Sequence, residues 1–148
     1  MQDAETIRTY FPESFVFWKP KDIVSGDFYY FKEYGQQKDK VVVALADCTG
    51  HGVPGALITI LGLSLLNEIT LQNREITAGE ILEQMRNRIK GALRQGKRSV
   101  ENRDGMDMAL CIIDKTNKIL QFAGANRPMY LVRAGEMIEF KPNRMPIG

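Results

Sequence analysis

The stretch that most restricts how this chain can fold covers residues 41–56. Val41-Val42-Val43-Ala44-Leu45-Ala46 is a nearly continuous apolar run, the pattern of a strand covered on both faces. It delivers Asp47 at its C-terminal end, and Gly50, Gly52, Pro54 and Gly55 follow before a second apolar stretch opens at Ala56. Over residues 56–71 apolar side chains fall on nearly every side of a helical wheel, which predicts a buried helix. A carboxylate on a glycine-rich turn between a buried strand and a buried helix has two readings. It can cap the helix, or it can join uncovered backbone carbonyls in offering oxygen ligands, because glycines accept positive φ and leave the main chain accessible. Hard divalent cations take such oxygen ligands.

The flanking segments complete a pattern. Residues 15–18 are almost all apolar before Pro20 and read as a short buried strand. Residues 23–31 are rich in aromatic and β-branched side chains and read as a second strand carrying Gly26-Asp27, with a hairpin loop around Gly35. Thr77 stands where an N-cap belongs, with Glu80 three residues on as a capping-box partner. Ile81, Leu82, Met85, Ile89 and Leu93 then form one stripe of a surface amphipathic helix. Strands are expected at 106–113, 118–123, 129–133 and 137–140, with a turn at Ala134-Gly135. Strands, two helices and then a meander favour an α+β sandwich over alternating βαβ units.

With 148 residues the chain fits one domain, and an apolar share of 44% with a charged share of 26% excludes disordered, collagenous and disulfide-rich classes. Twenty basic residues against 18 acidic ones leave a net charge of +2, too balanced to argue for nucleic acid. The basic run over residues 90–103 reads as a solvated helix face and loop. Cys48 and Cys111 lie far apart and outside any C-x-x-C pair, which favours reduced thiols. No apolar run reaches roughly 18 residues, so no bilayer span is expected, and the first residues lack a signal pattern. The expectation is a cytoplasmic domain, free or as the cytoplasmic part of a membrane-anchored protein.

Two further acids stand out. Asp27 follows Gly26 amid Phe28, Tyr29 and Tyr30, where an unpaired charge is costly to bury, so a cation is expected beside it; a surface strand-end aspartate is the other reading. If the two strands are hairpin neighbours, Asp27 and Asp47 meet at the sheet edge and can share cations. Asp104-Gly105 has an ordinary reading as a turn. Asp107 alternates with Met106 and Met108 at a strand start and reads equally as a strand-entry acid or a ligand. His51 is the only histidine, and it can serve as acid or base or hold the loop in shape. One histidine without a cysteine cluster argues against zinc and for Mg²⁺ or Mn²⁺.

Lys19-Pro20-Lys21-Asp22-Ile23-Val24-Ser25-Gly26-Asp27-Phe28-Tyr29 and the segment from Ala46 to Ala56 resemble the metal-dependent serine/threonine protein phosphatases, in their bacterial SpoIIE and RsbU branch. Asp104-Gly105-Met106-Asp107-Met108-Ala109-Leu110 and Phe122-Ala123-Gly124-Ala125-Asn126-Arg127-Pro128 resemble that branch's later motifs, in order. The resemblance covers residues 11–148 as one phosphatase domain. It implies an α-β-β-α sandwich of two mainly antiparallel sheets flanked by helices, with two Mn²⁺ or Mg²⁺ ions at one sheet edge that activate water for attack on phosphoserine or phosphothreonine. Carried over, Asp27 and Asp47 are the catalytic pair, Asp47 bridging the ions, the Cys48 backbone carbonyl binding one and Asp27 contributing directly or through water; Asp107 stays a candidate ligand on its strand position alone. The implied partners are a phosphorylated regulatory protein such as an anti-sigma-factor antagonist and an N-terminal sensor domain. The family's later Thr-Asp-Gly motif is missing here, so a C-terminally truncated domain is expected. Such a domain can pair with a second copy through an exposed sheet edge, and a non-catalytic regulatory or dimerisation module is the alternative function.

Overall fold

A computed structural model describes residues 4–19, 25–35, 37, 39–50, 52–72, 75–93 and 104–148. Its elements are α1 (Ala4–Tyr10), β1 (Phe28–Tyr34), β2 (Lys40–Cys48), α2 (Gly52–Gln72), α3 (Ala78–Ala92), β3 (Met106–Asp114), β4 (Ile119–Ala125), β5 (Met129–Arg133) and β6 (Glu136–Phe140). Strands β1 to β4 form one sheet in chain order and β5 pairs with β6 in a second, every pairing antiparallel. This is the α+β class expected from the order of strands and helices.

Alternation along β2 and β3 divides the first sheet into two faces. Val42, Ala44, Ala46, Cys48, Met106, Met108, Leu110 and Ile112 enter the main core with Ile58, Leu66 and Ile69 of α2 and Ile81, Met85 and Ile89 of α3. Both helices therefore lie on one face. Helix α2 packs tightly at Gly62, where a Cβ would lie 2.8 Å from the Met106 methyl and 3.1 Å from the Phe28 ring. Tyr30 ties β1 to the same helix through Asn67 (3.2 Å) and Thr70 (3.1 Å). Helix α3 begins with the capping box of Thr77 and Glu80, the Thr77 backbone N–H donating to Glu80 Oε2 at 2.8 Å.

The other face is less covered. Ile7, Phe31 and Val41 form a small cluster joined by Tyr10, Phe11, Val16 and Val43. Farther along β2, Leu45 is 58% exposed, so this strand is covered on one face and only in part on the other. The run of apolar residues reports burial against α2 and α3 together with a face open at one end.

Three more expectations are corrected. Residues 15–18 form no strand and pair with none, and Phe15 and Phe17 are exposed. Aromatic composition favours a pleated surface but supplies no hydrogen-bonded neighbour. The second strand covers Phe28–Tyr34, which leaves Asp27 just before it, and residues 20–24 lie outside the described residues. Helix α2 buries one side only, with Val53, Leu57, Ile60 and Leu71 exposed on the other. Its length and apolar character suffice for a bilayer span, yet its Gly62 side is packed on the sheet as in a core helix.

The second sheet is a hairpin. Ala134 (φ 52°) and Gly135 (φ 82°) both adopt left-handed backbone, as a two-residue hairpin turn requires. Its strands are largely exposed.

Candidate metal centre

Strand register gathers the acids. Phe28 pairs with Ala46, so continuing that register by one residue sets Asp27 opposite Asp47. Asp47 in turn pairs with Asp107. The three aspartates come to one end of the sheet, Asp47 and Asp107 paired on β2 and β3 on the face away from α2 and α3, and Asp27 immediately before β1. Neighbouring strands lie about 4.8 Å apart, close enough for adjacent carboxylates to share a cation and close enough to repel without one.

The turn after Asp47 is held in place by close backbone contact. A Cβ on Gly26 would lie 2.8 Å from the Gly50 carbonyl oxygen and 3.4 Å from that of Cys48, and one on Gly55 would lie 2.7 Å from the Gly50 oxygen. Gly50 (φ 84°) and Gly52 (φ 62°) use the left-handed region directly. The Cys48 carbonyl thus lies beside Gly26, next to Asp27. Its thiol is buried in the main core, and burial pushes it up to about 11, with the Thr59 contact opposing and the Asp27 charge adding to the rise. Thr59 of α2 donates to the Gly26 carbonyl at 2.7 Å and so fixes the residue before Asp27.

Asp107 is positioned through Thr49. The Thr49 backbone N–H and hydroxyl both donate to the Gly105 carbonyl, at 2.9 and 2.8 Å, and its hydroxyl accepts from the Gly105 N–H. Met106 exchanges backbone hydrogen bonds with Ile147 at 2.9 and 2.8 Å. The turn carrying Asp47 and the approach to Asp107 are therefore one connected unit.

Two residues given no chemical role by the sequence reading enter here. Asn126 Nδ2 donates to Asp107 Oδ1 at 2.9 Å. Arg127 Nη2 donates to Asp47 Oδ2, and Arg127 Nε lies 3.8 Å from Asp107 Oδ2. The motif from Phe122 to Pro128 was their signal, but nothing local says that it returns to the aspartates. His51 lies outside the described residues, as does the basic run beyond Leu93 as far as Arg103.

These donors suit a hard divalent ion in kind: three carboxylates and a backbone carbonyl, with a guanidinium standing in as the cation between two of them. In arrangement they are not yet closed around an ion, since among the described residues no three His, Cys, Asp or Glu side chains are gathered tightly enough to hold one. A cavity of about 590 Å³ adjoins the row, lined by Phe17, Trp18, Asp27, Tyr29, Asp47, Arg127 and Tyr130 among others.

The family described as stage II sporulation protein E (SpoIIE) matches residues 37–148. The chain belongs to the SpoIIE family. Among solved structures it is similar to the SiaA-PP2C domain of Pseudomonas aeruginosa, at 33% identity and a TM-score of 0.76 over 90% of this chain and 51% of that one. It shares its fold with the PP2C phosphatase domain of SpoIIE from Bacillus subtilis, solved with a fragment of the regulatory domain (22% identity, TM-score 0.64, 86% of this chain and 34% of that one). The fold also recurs in the RsbU and RsbW domains of a Mycobacterium tuberculosis protein (22%, 0.62, 86% and 33%). The chain thus spans about half the length of the first of these structures and about a third of the other two. No curated protein sequence matches it. By family this chain is of the SpoIIE kind and by fold it is PP2C-like, and the sandwich class expected from the resemblance holds.

Proposed function

We propose that this chain is the metal-binding part of a metal-dependent phosphatase that hydrolyses phosphoserine or phosphothreonine on a regulatory partner protein. The observation that carries the reading is the row of Asp27, Asp47 and Asp107 beside a glycine-built turn, two of whose carboxylates already share a cation. Asp47 at the centre of the row would hold the metal together with Asp27 and the Cys48 carbonyl on one side and Asp107 on the other. Bound Mn²⁺ or Mg²⁺ would supply an activated water and neutralise phosphoryl charge. The chain's own part is to fix the ligands: Gly26, Gly50 and Gly55 set the turn, Thr59 holds Gly26, and Thr49 aligns Gly105 and Asp107. No covalent attachment to the protein is required.

The partner we propose is a phosphorylated signalling protein of the anti-sigma-factor-antagonist kind, with a sensor domain as input, in the cytoplasm or on the cytoplasmic side of a membrane-anchored protein. The RsbU domain joined to an RsbW domain in the Mycobacterium protein favours such a setting. Asp47→Asn in the whole protein is expected to abolish Mn²⁺-dependent release of phosphate from a phosphoprotein. Retained turnover would sink the assignment. A second reading, a phosphatase-like module that serves regulation or dimerisation without catalysis, is favoured by Arg127 lying on Asp47. It requires that Mn²⁺ not bind.

A further inference from the structure

Arg127 is placed by its own turn. Strand β4 ends at Ala125, Asn126 takes left-handed backbone (φ 58°), and Pro128 restricts Arg127 to extended conformations. Hydrogen bonds of 2.9 Å from Asn126 N–H to the Asn143 carbonyl and from Asn143 N–H to the Gly124 carbonyl pin the turn on both sides. Gly124 is required at its base, because a Cβ there would collide with the Arg127 carbonyl oxygen. So built, the turn delivers a guanidinium to the two carboxylates at the centre and end of the row.

We infer that Arg127 is an intramolecular competitor for the metal, an inference that rests on the metal-centre reading above. Without metal, adjacent carboxylates on neighbouring strands repel, and Arg127 neutralises Asp47 and Asp107 together. The same oxygens cannot face a divalent ion while they hold the guanidinium, and the two cations repel each other. Entry of the ion therefore requires Arg127 to swing away. The adjoining cavity, lined by Trp18, Tyr29 and Tyr130 among others, gives it room. Metal affinity is then set by a displacement as well as by the ligands.

The test uses this chain and Mn²⁺ alone, titrated calorimetrically into wild type, Arg127→Ala and Arg127→Lys. Both ion-pair partners are about half exposed, so removing the competitor should tighten Mn²⁺ binding about three- to tenfold in Arg127→Ala, with Arg127→Lys in between because an ammonium cannot span both carboxylates as a fork does. Thermal melting adds a second readout. Arg127→Ala should melt below wild type without metal, and the gap should close at saturating Mn²⁺. Should Arg127→Ala fail to fold by circular dichroism, Arg127→Gln keeps a polar side chain of similar reach and carries the same expectation. Equal or weaker Mn²⁺ binding by the variants, with wild type binding normally, overturns the competitor while leaving the metal centre intact. Absence of binding in wild type and variants alike overturns both.

Discussion

Single residues decide whether three strand ends become a site. Gly26 sits where a Cβ would meet the Gly50 carbonyl at 2.8 Å, and that neighbour is backbone. Gly26→Ala is therefore expected to displace the turn and destabilise the fold by about 1–3 kcal/mol, measured by urea unfolding; an unchanged midpoint would show that the contact is slack. Thr49→Val keeps the volume but leaves the Gly105 N–H without its hydroxyl acceptor, with an expected cost of about 1–3 kcal/mol and weaker Mn²⁺ binding. At this scale the sequence was half legible. Asp47 announced itself because no ordinary strand-to-helix connection needs so many glycines, and Asp107 could be weighed but not decided. Arg127 and Asn126 were illegible as site residues, since their role depends on a register linking residues about 80 and 19 positions apart.

Elements with a local cause were the ones that could be read. The Thr77 and Glu80 box marks the start of α3 by chemistry contained within four residues, and the β2 run needs no partner to look apolar. Thr77→Ala should cost about 1 kcal/mol, read as a lowered unfolding midpoint with the helix retained at room temperature. Residues 15–18 misled because strand propensity describes a side chain's fit to a sheet and says nothing of whether a neighbour exists. The outer side of α2 misled for a related reason, since an all-round apolar helix implies a covering that the described residues do not provide. Tyr34 joins β1 to the start of α3, its hydroxyl donating to the Ile76 carbonyl at 2.8 Å, and burial pushes it from 10.0 up to about 12. Its folded value is above its unfolded one, so its contribution is complete below pH 10 and is lost as pH rises through about 12. Stability should fall between those values, and Tyr34→Phe should flatten the fall when denaturant midpoints are followed with pH.

For the whole molecule, the first sheet carries helices on one face and the aspartate row on the other, while apolar side chains remain exposed on both the helical and hairpin sides. Leu57 and Ile60 of α2 and Val132 and Met137 of the hairpin are each more than 60% exposed. Surfaces of that kind promote association. Sedimentation velocity is expected to show a weight-average mass rising with concentration, and a monomer at every concentration would contradict this. The central claim concerns the row itself, and anomalous scattering from crystals of this chain grown with Mn²⁺ tests it most directly. The prediction is a manganese peak at coordination distance from Asp47, shared with Asp27 or Asp107, and Arg127 withdrawn into the cavity. Saturating Mn²⁺ with no peak at the row and Arg127 still on Asp47 would contradict the account.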